Sequence, residues 1–252
     1  ICAMTLLAAV LIQIGTNFAN DVFDFQKGTD REDRKGPLRV THTGLIPPEK
    51  MIRAMWLTFA LAICVGFYLA WIGGWPIVWI GLLSIAAGIL YTGGPYPLGY
   101  HGWGDVFVFI FFGLIAVPGT YYLQIGVISN LSIWMGAIMG MLSTAILVVN
   151  NLRDVDTDKL SGKRTLAVRM GKYFSKVQYS LLMILPFSLP IYLWWISETE
   201  LSLLLTVFSI PLSFHLIKQI FSLTGSDLNL VLHRTARFLF IFTVLLSIGL
   251  VI

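Results

Sequence analysis

Long apolar stretches alternate with short polar segments along the chain. Residues 54–104 and 106–152 contain no Asp, Glu, Lys or Arg. Because one membrane-spanning helix needs about 20 predominantly apolar residues, each of these stretches can hold two spans and the turn between them. The full pattern predicts eight spanning helices, near residues 1–20, 51–72, 76–93, 104–122, 132–151, 175–196, 200–221 and 235–252. The sequence therefore predicts an all-α, polytopic transmembrane bundle that forms a single domain over residues 1–252.

The composition supports this class of protein. The 252 residues are 57% hydrophobic and 12% charged, and the mean hydropathy is +0.81, whereas soluble domains carry about 25% charged residues. A soluble globule and a disordered chain are therefore both excluded. Cys2 and Cys64 lie in apolar stretches without disulfide or metal-ligand spacing, so we interpret them as small core residues. Ile1 lies inside an apolar stretch that does not resemble a signal peptide, so we expect one further helix before it.

Most of the basic residues lie in two loops, near residues 21–50 and 152–174. The net charge of +4 does not indicate a nucleic-acid partner, because the predicted spans place all 17 Lys and Arg residues on one side of the bilayer. The opposite connections contain Glu198 and Glu200 but no Lys or Arg. By the positive-inside rule both long loops face the cytoplasm. This distribution predicts a multi-pass protein of a bacterial inner membrane or a plasma membrane.

Two clusters of Asn and Asp residues mark the predicted cytoplasmic ends of the first and fifth spans. They consist of Asn17, Asp21 and Asp24 in the first cluster, and of Asn151, Asp154 and Asp158 in the second. Spacings of three, four and seven residues place each set on one face of a helix. A single cluster could simply mark the water boundary, but two matched clusters facing the same compartment favour a binding site.

Four carboxylates that converge need cations among them. At an assumed separation of ~5 Å and an effective dielectric constant near 20, each pair repels by ~3 kcal/mol. Mg²⁺ prefers oxygen ligands and binds one or two carboxylates together with substrate phosphates. Lys and Arg of the flanking loops can contact the remaining phosphate oxygens. The pattern therefore predicts a metal-dependent diphosphate site, whereas a carboxylate pair for glycoside hydrolysis would need neither metals nor basic loops.

The motifs Asn20-Asp21-x-x-Asp24 and Asp154-x-Asp156-x-Asp158-x3-Gly162-Lys163 resemble the two aspartate-rich motifs of the UbiA superfamily of intramembrane aromatic prenyltransferases. The resemblance covers nearly the whole chain, and members of the superfamily usually have nine helices. Residues 17–28, 36–39, 91–100, 104–105, 150–154 and 165–169 are similar to the branch that prenylates 1,4-dihydroxy-2-naphthoate in menaquinone synthesis. Gly28 stands where many relatives have a third acid, and Asp30 and Asp33 are the candidates to replace it.

The resemblance implies a Mg²⁺-dependent transfer of a polyprenyl group from polyprenyl diphosphate to the naphthoate, with loss of CO₂, to give demethylmenaquinone. It implies that Asp21, Asp24, Asp154 and Asp158 are catalytic and hold about two Mg²⁺ ions on the diphosphate. The residues expected to bind substrate are Asn17, Asn20, Arg39, Asn151, Arg153, Lys163 and Arg164. The implied partners are polyprenyl diphosphate, an aromatic acceptor and the lipid bilayer.

Further expectations concern the interior of the bundle, where an apolar chamber must receive the prenyl tail. The candidates for its lining are Phe107, Phe109, Phe111 and Phe112, with ordinary packing as the alternative. Asp105 is expected to cap the helix that follows it rather than to act on substrate. Gly136-x3-Gly140 is interpreted as a close contact between two helices.

Three alternatives to this function are left open. Another acceptor, such as 4-hydroxybenzoate, homogentisate or a haem, would preserve the enzyme class. A cation-coupled transporter would also use intramembrane acids, but transporters tend to place them near the midplane on broken helices. A purely structural membrane protein is the third alternative. The four His residues show no metal spacing and no Gly-rich nucleotide loop is present, so neither suggests a further cofactor.

Overall fold

The computed structural model describes residues 1–29, 35–37, 39–197 and 201–252. The described residues form a bundle of eight helices and contain no strand, which confirms the predicted fold class. The helices are α1 (Cys2–Gln26), α2 (Pro48–Gly73), α3 (Trp75–Leu90), α4 (Gly104–Ile125), α5 (Asn130–Leu160), α6 (Leu166–Trp195), α7 (Ser202–Ser222) and α8 (Gly225–Val251). Each corresponds to one predicted span, so the protein is a multi-pass membrane protein.

Seven of the helices in the described part of the chain are long and apolar enough to cross a membrane, and α3 is the exception. At 16 residues, α3 is about 24 Å long. It begins directly after Gly74, whose φ of 70° lets the chain reverse between α2 and α3. It ends at Leu90 and not near residue 93 as predicted. The residues between α3 and α4 therefore form a loop, which folds over the site described below.

The helices that carry the predicted acidic clusters are longer than their predicted spans. α1 continues to Gln26 and α5 to Leu160, so both clusters lie within regular helix. α6 begins nine residues before the predicted residue 175, because Thr165 caps a short first segment by accepting from the Val168 amide. The helix breaks at Gly171, where φ is 87°, before the spanning segment starts.

α5 is the central helix of the bundle. In its most apolar window 56% of the residues are buried, against 17–33% in the other spans. Leu142 and Val149 of α5 pack with Tyr179, Leu216 and Phe238 from α6, α7 and α8 in one core. The second acidic cluster therefore lies on the most buried of these spanning helices.

Glycines allow α4 and α5 to approach each other closely. A Cβ on Gly113 would lie 2.5 Å from the Gly136 carbonyl oxygen and 2.6 Å from the Gly140 Cα atom. The predicted Gly136-x3-Gly140 contact is thus present, and its partner is Gly113. Gly113 lies in a π-helical segment, Phe109–Ile115, in the middle of α4. Such segments change the angular position of the residues that follow.

Candidate active site

Side chains from α1, α5 and the connecting loops surround a polar cavity of about 260 Å³ at one end of the bundle. Its walls consist of Asn17, Asn20, Asp24, Thr29, Arg39, Tyr91, Thr92, Gly99, Tyr100, Leu147, Asn150, Asn151, Asp154, Thr157, Asp158, Lys163 and Thr165. Three of the four predicted catalytic acids, Asp24, Asp154 and Asp158, thus line one cavity. The two clusters lie far apart in sequence, and the packing of the bundle brings them together.

Three side-chain donors meet on the carboxylate of Asp24. Asp24 is 2% exposed. Its carboxylate accepts hydrogen bonds from Arg39 Nη2 at 2.9 Å, from Lys163 Nζ at 3.3 Å and from the Tyr100 hydroxyl at 2.5 Å. Two of the predicted substrate-binding cations, Arg39 and Lys163, therefore meet on one carboxylate. Both lie where an anionic headgroup in the cavity would contact them.

Asp21 does not line this cavity. Its carboxylate accepts from the backbone amides of Val40 and Thr41, both at 3.1 Å, and it is 7% exposed. It thereby anchors the segment that positions Arg39. The face of α1 that reaches the cavity carries Asn17, Asn20 and Asp24 rather than the expected Asp21.

Arg153 is buried between three partners and does not line the cavity either. It donates to both carboxylate oxygens of Asp154, at 2.8 and 2.6 Å. Its other bonds go to the amide oxygens of Asn150 and Asn229, each at 2.8 Å. The backbone of Gly36 packs against the guanidinium, because a Cβ there would lie 2.5 Å from Nη2. Arg153 was expected to contact phosphate, but in the structure it orients Asp154 and joins α5 to α8.

The loop between α5 and α6 closes the other side of the cavity. Lys163 lies there with its ammonium 4.7 Å from the centre of the Tyr100 ring. Arg164, also predicted to bind phosphate, is exposed and does not line the cavity. Its backbone amide donates to the Tyr100 carbonyl at 2.8 Å. Its main chain thus holds the α5–α6 loop against the α3–α4 loop.

Asp105 joins three helices instead of capping its own. It lies in the first turn of α4, is 7% exposed, and accepts from Gln178 Nε2 of α6 at 2.7 Å. Asn151 Nδ2 of α5 lies 3.5 Å from its second oxygen. The expected cap is therefore replaced by side-chain bonds to neighbouring helices. These bonds place Asn151 at the floor of the cavity.

The structure adds site residues that the sequence analysis did not select. Tyr100 hydrogen-bonds Asp24, and its hydroxyl also lies 2.9 Å from that of Thr29. Asn150 lines the cavity beside Asn151, which was predicted. A signal for Tyr100 was present in the segment 91–100, but nothing local indicated that this loop folds onto α1.

Lys27 adds a further positive charge at the rim of the site. Its ammonium donates to the Thr92 carbonyl at 2.6 Å and lies 5.0 Å from the centre of the Tyr100 ring. Partial burial lowers the pKa of Lys27, Asp24 opposes this effect, and Lys163 lowers the pKa further. Lys27, Lys163 and Arg39 thus lie around one carboxylate, where all three cations can contact a polyanionic ligand.

An apolar cavity of about 650 Å³ adjoins the polar one. Phe107, Phe111 and Phe112 line it, as expected, whereas Phe109 packs beside Gly140 and does not. The two cavities share four wall residues, Asn17, Asn20, Tyr91 and Leu147. We call this shared boundary the neck. An anionic head in the polar cavity and an apolar tail in the other cavity would therefore meet at these four residues.

The donor set of the polar cavity fits Mg²⁺ ions whose coordination a diphosphate completes. Among the residues that the structure describes, no three Asp, Glu, His or Cys side chains are close enough to hold a metal ion by themselves. The carboxylates of Asp24, Asp154 and Asp158 nevertheless line the same cavity as several carboxamides. Mg²⁺ commonly binds one or two carboxylates plus substrate phosphates. Asp30 and Asp33, the candidates for a third acid after Asp24, lie outside the described residues.

Together the bundle and its two adjoining cavities define a multi-pass membrane protein whose interior suits a ligand with an anionic head and an apolar tail. The comparison with known proteins identifies the family. The UbiA prenyltransferase family matches residues 1–244. The chain belongs to this family and is a prenyltransferase.

Several bacterial proteins that are similar to this chain share one name. The 1,4-dihydroxy-2-naphthoate octaprenyltransferase of Haemophilus influenzae is 36% identical over 261 positions, covering 100% of this chain and 84% of that protein. Proteins of that name from Escherichia coli and Mycobacterium tuberculosis are 41% and 40% identical over 180 and 176 positions. These matches cover 68% and 70% of this chain, and they span 58% and 60% of the relatives' length.

Proposed function

We propose that the protein transfers a polyprenyl group from polyprenyl diphosphate to 1,4-dihydroxy-2-naphthoate in a Mg²⁺-dependent reaction that also releases CO₂. The product is the quinol form of demethylmenaquinone, because the reaction contains no oxidant for the two hydroxyl groups of the acceptor. The observation that carries the proposal is the neck, where a polar cavity lined by acids and cations opens into an apolar cavity of about 650 Å³. The choice of acceptor rests on the names of the similar proteins.

The diphosphate would occupy the polar cavity. Arg39 and Lys163 are held on Asp24 at 2.9 and 3.3 Å, and each can turn one N–H donor to a phosphate oxygen. Asp24, Asp154 and Asp158 would hold the Mg²⁺ ions together with Asn17 and Asn151, which line the same cavity. The bound ions would supply neutralisation of the negative charge that grows on the leaving diphosphate. Arg153 would keep the Asp154 carboxylate in the orientation that metal binding requires.

The reaction exchanges one bond at the allylic carbon for another. The bond between C1 of the prenyl group and the diphosphate oxygen breaks, and its electron pair leaves with the diphosphate. An electron-rich ring carbon of the naphthoate donates a pair to C1 and forms the new carbon–carbon bond. The carboxylate on that ring carbon then departs as CO₂ and returns its bonding pair to the ring. The apolar cavity would hold the tail and limit the access of water to C1.

The active site would face the cytoplasm. Basic residues surround the polar cavity, and the positive-inside rule places such loops on the cytoplasmic side. A soluble naphthoate could then enter directly from the cytosol, while the prenyl diphosphate and the product would move in the membrane.

The test uses the full chain in lipid nanodiscs with Mg²⁺ and a polyprenyl diphosphate. Diphosphate release and the prenylated product are measured with 1,4-dihydroxy-2-naphthoate, 4-hydroxybenzoate or homogentisate as acceptor. We expect turnover and CO₂ release with the naphthoate, and none after chelation of Mg²⁺. Asp24→Asn should be inactive, while Asp227→Asn, an exposed Asp outside the cavity, should retain activity. Turnover only with another acceptor, or none with any, would refute the proposal.

A further inference from the structure

The neck is where the reacting carbon of a prenyl diphosphate has to lie. C1 carries the diphosphate on one side and the apolar chain on the other, so it must sit at the boundary between the two cavities. Only four residues in the described part of the chain belong to both linings. This argument rests on the proposed function, because it takes a prenyl diphosphate as the ligand.

The four neck residues differ in what they can offer a cation. Leu147 is aliphatic, and the amide oxygen of Asn20 already accepts from the Thr92 hydroxyl at 3.0 Å. Asn17 and Asn20 also line the polar cavity, where their amides can contact the diphosphate headgroup. Tyr91 alone in the neck carries an aromatic ring, whose negative face attracts a cation without forming a bond to it.

The surrounding loop holds the Tyr91 ring in place. A Cβ on Gly99 would lie 2.9 Å from ring atom Cε1, and a Cβ on Gly104 would lie 2.7 Å from the hydroxyl oxygen. The Gly99 amide also donates to the Tyr91 carbonyl at 2.9 Å. Two glycines therefore make room for the ring at the point where the α3–α4 loop turns back. Tyr91 lines both cavities.

The phenol is suited to a site that must not supply a nucleophile. Burial raises the pKa of Tyr91, and the carboxylates of Asp105, Asp24 and Asp158 raise it further. The hydroxyl is therefore neutral under physiological conditions and does not compete with the acceptor as a phenolate.

We propose that Tyr91 is a catalytic residue whose ring contacts C1 of the prenyl group, stabilises the allylic cation and keeps water away from it. When the C1–O bond breaks, the electron pair goes to the diphosphate. The allylic cation stays in contact with the ring until the acceptor carbon donates an electron pair to C1. Without the ring, the oxygen of a water molecule attacks C1 instead. That side reaction yields a polyprenyl alcohol and a proton, together with the diphosphate.

The experiment measures single-turnover diphosphate release and the ratio of polyprenyl alcohol to prenylated acceptor in nanodiscs. Tyr91→Phe retains the ring, so we expect rates close to wild type and little alcohol. Tyr91→Leu removes the ring, and we expect release to slow by about thirtyfold, as for the loss of a desolvated cation–π contact, while the alcohol fraction rises. Phe240→Leu removes an exposed aromatic side chain that lines neither cavity and should leave the alcohol fraction at the wild-type value.

A second series separates catalysis from folding. Phenylalanines with progressively more fluorine atoms at position 91 keep the shape of the ring and weaken its negative face. Single-turnover release should slow stepwise along this series, which a merely structural role would not cause. A wild-type rate and alcohol fraction in Tyr91→Leu, or a flat fluorination series, would overturn the proposal. A wild type that releases no diphosphate with any acceptor would overturn the proposed function as well, whereas a different preferred acceptor would change only the acceptor assignment.

Discussion

Removal of the Arg153 side chain gives the sharpest test of how the site is held together. The side chains of Arg153 and Asp154 are 2% and 11% exposed, and the closest contact between them is 2.6 Å. Arg153→Ala leaves the Asp154 carboxylate buried without its cation. It also removes the guanidinium N–H groups that donate to the amide oxygens of Asn150 and Asn229.

The magnitude follows from this geometry. Removing one partner of a buried ion pair costs about 3–5 kcal/mol, because the remaining charge is left uncompensated. The two lost bonds to neutral amides add about 0.5–1.5 kcal/mol each if water does not replace them. We therefore expect the free energy of unfolding to fall by about 4–8 kcal/mol. Arg153→Lys retains the charge but not the planar fork, so its loss should be smaller.

The assay is equilibrium unfolding in mixed micelles titrated with sodium dodecyl sulfate, followed by circular dichroism. Arg164→Ala removes an arginine of the same charge from an exposed position and should change the free energy by no more than about 0.5 kcal/mol. The double variant Arg153→Met with Asp154→Leu removes both charges. It should recover the part of the loss that comes from the uncompensated charge and stay about 1–3 kcal/mol below wild type, because Asn150 and Asn229 still lack their donor. Its diphosphate release should not recover, because Asp154 lines the polar cavity.

A loss below about 1 kcal/mol in Arg153→Ala would refute this reasoning, since that value is typical of an exposed pair. A double variant as unstable as Arg153→Ala would refute it too. In that case the packing of the arginine stem, and not the ion pair, would hold α5 against α8.

Three further predictions concern separate parts of the molecule. Gly113→Ala should destabilise the bundle by about 1–3 kcal/mol through overpacking, whereas Gly81→Ala, where a Cβ would meet no atom within 4 Å, should not destabilise it in the same unfolding assay. Asp24→Asn should reduce diphosphate release by more than about a hundredfold and Asp21→Asn by less than about tenfold, because only Asp24 lines the cavity; equal losses would contradict the geometry. The surroundings of Tyr91 raise its pKa above the usual value of about 10. Diphosphate release by Tyr91→Phe should therefore have the same pH profile as wild type up to about pH 10. Profiles that diverge below that pH would contradict a neutral phenol at this position.

Short-range patterns in the sequence were sufficient to predict the helices of the bundle. Apolar length predicts each helix, because a backbone in lipid must satisfy its own hydrogen bonds and a helix does so locally. The lengths of α1 and α5 were underestimated because hydropathy marks where lipid ends and not where the helix ends. α3 shows the converse, since an apolar stretch does not reveal that its helix stops at Leu90.

The site could be predicted only to within a helix face. Asn17, Asn20, Asp21 and Asp24 fall within an arc of about 100° on α1, and the sequence does not show which edge of that arc faces the cavity. The contact with Val40 and Thr41 takes Asp21 to one side, while Asn20 turns to the other. Sequence spacing fixes the angle between two side chains around the helix axis. It does not show on which side of the helix a neighbouring segment or cavity lies.

The sequence by itself determined the membrane bundle, the concentration of basic residues on one side and the presence of two acidic helix ends. Only the tertiary structure decided that Arg153 reaches Asn229, that Tyr100 reaches Asp24, and that Tyr91 lies in the neck. The physical reason is the range of the interactions. Hydropathy and helical periodicity are properties of neighbouring residues, whereas hydrogen bonds and cavity walls join segments that meet only after the helices have packed.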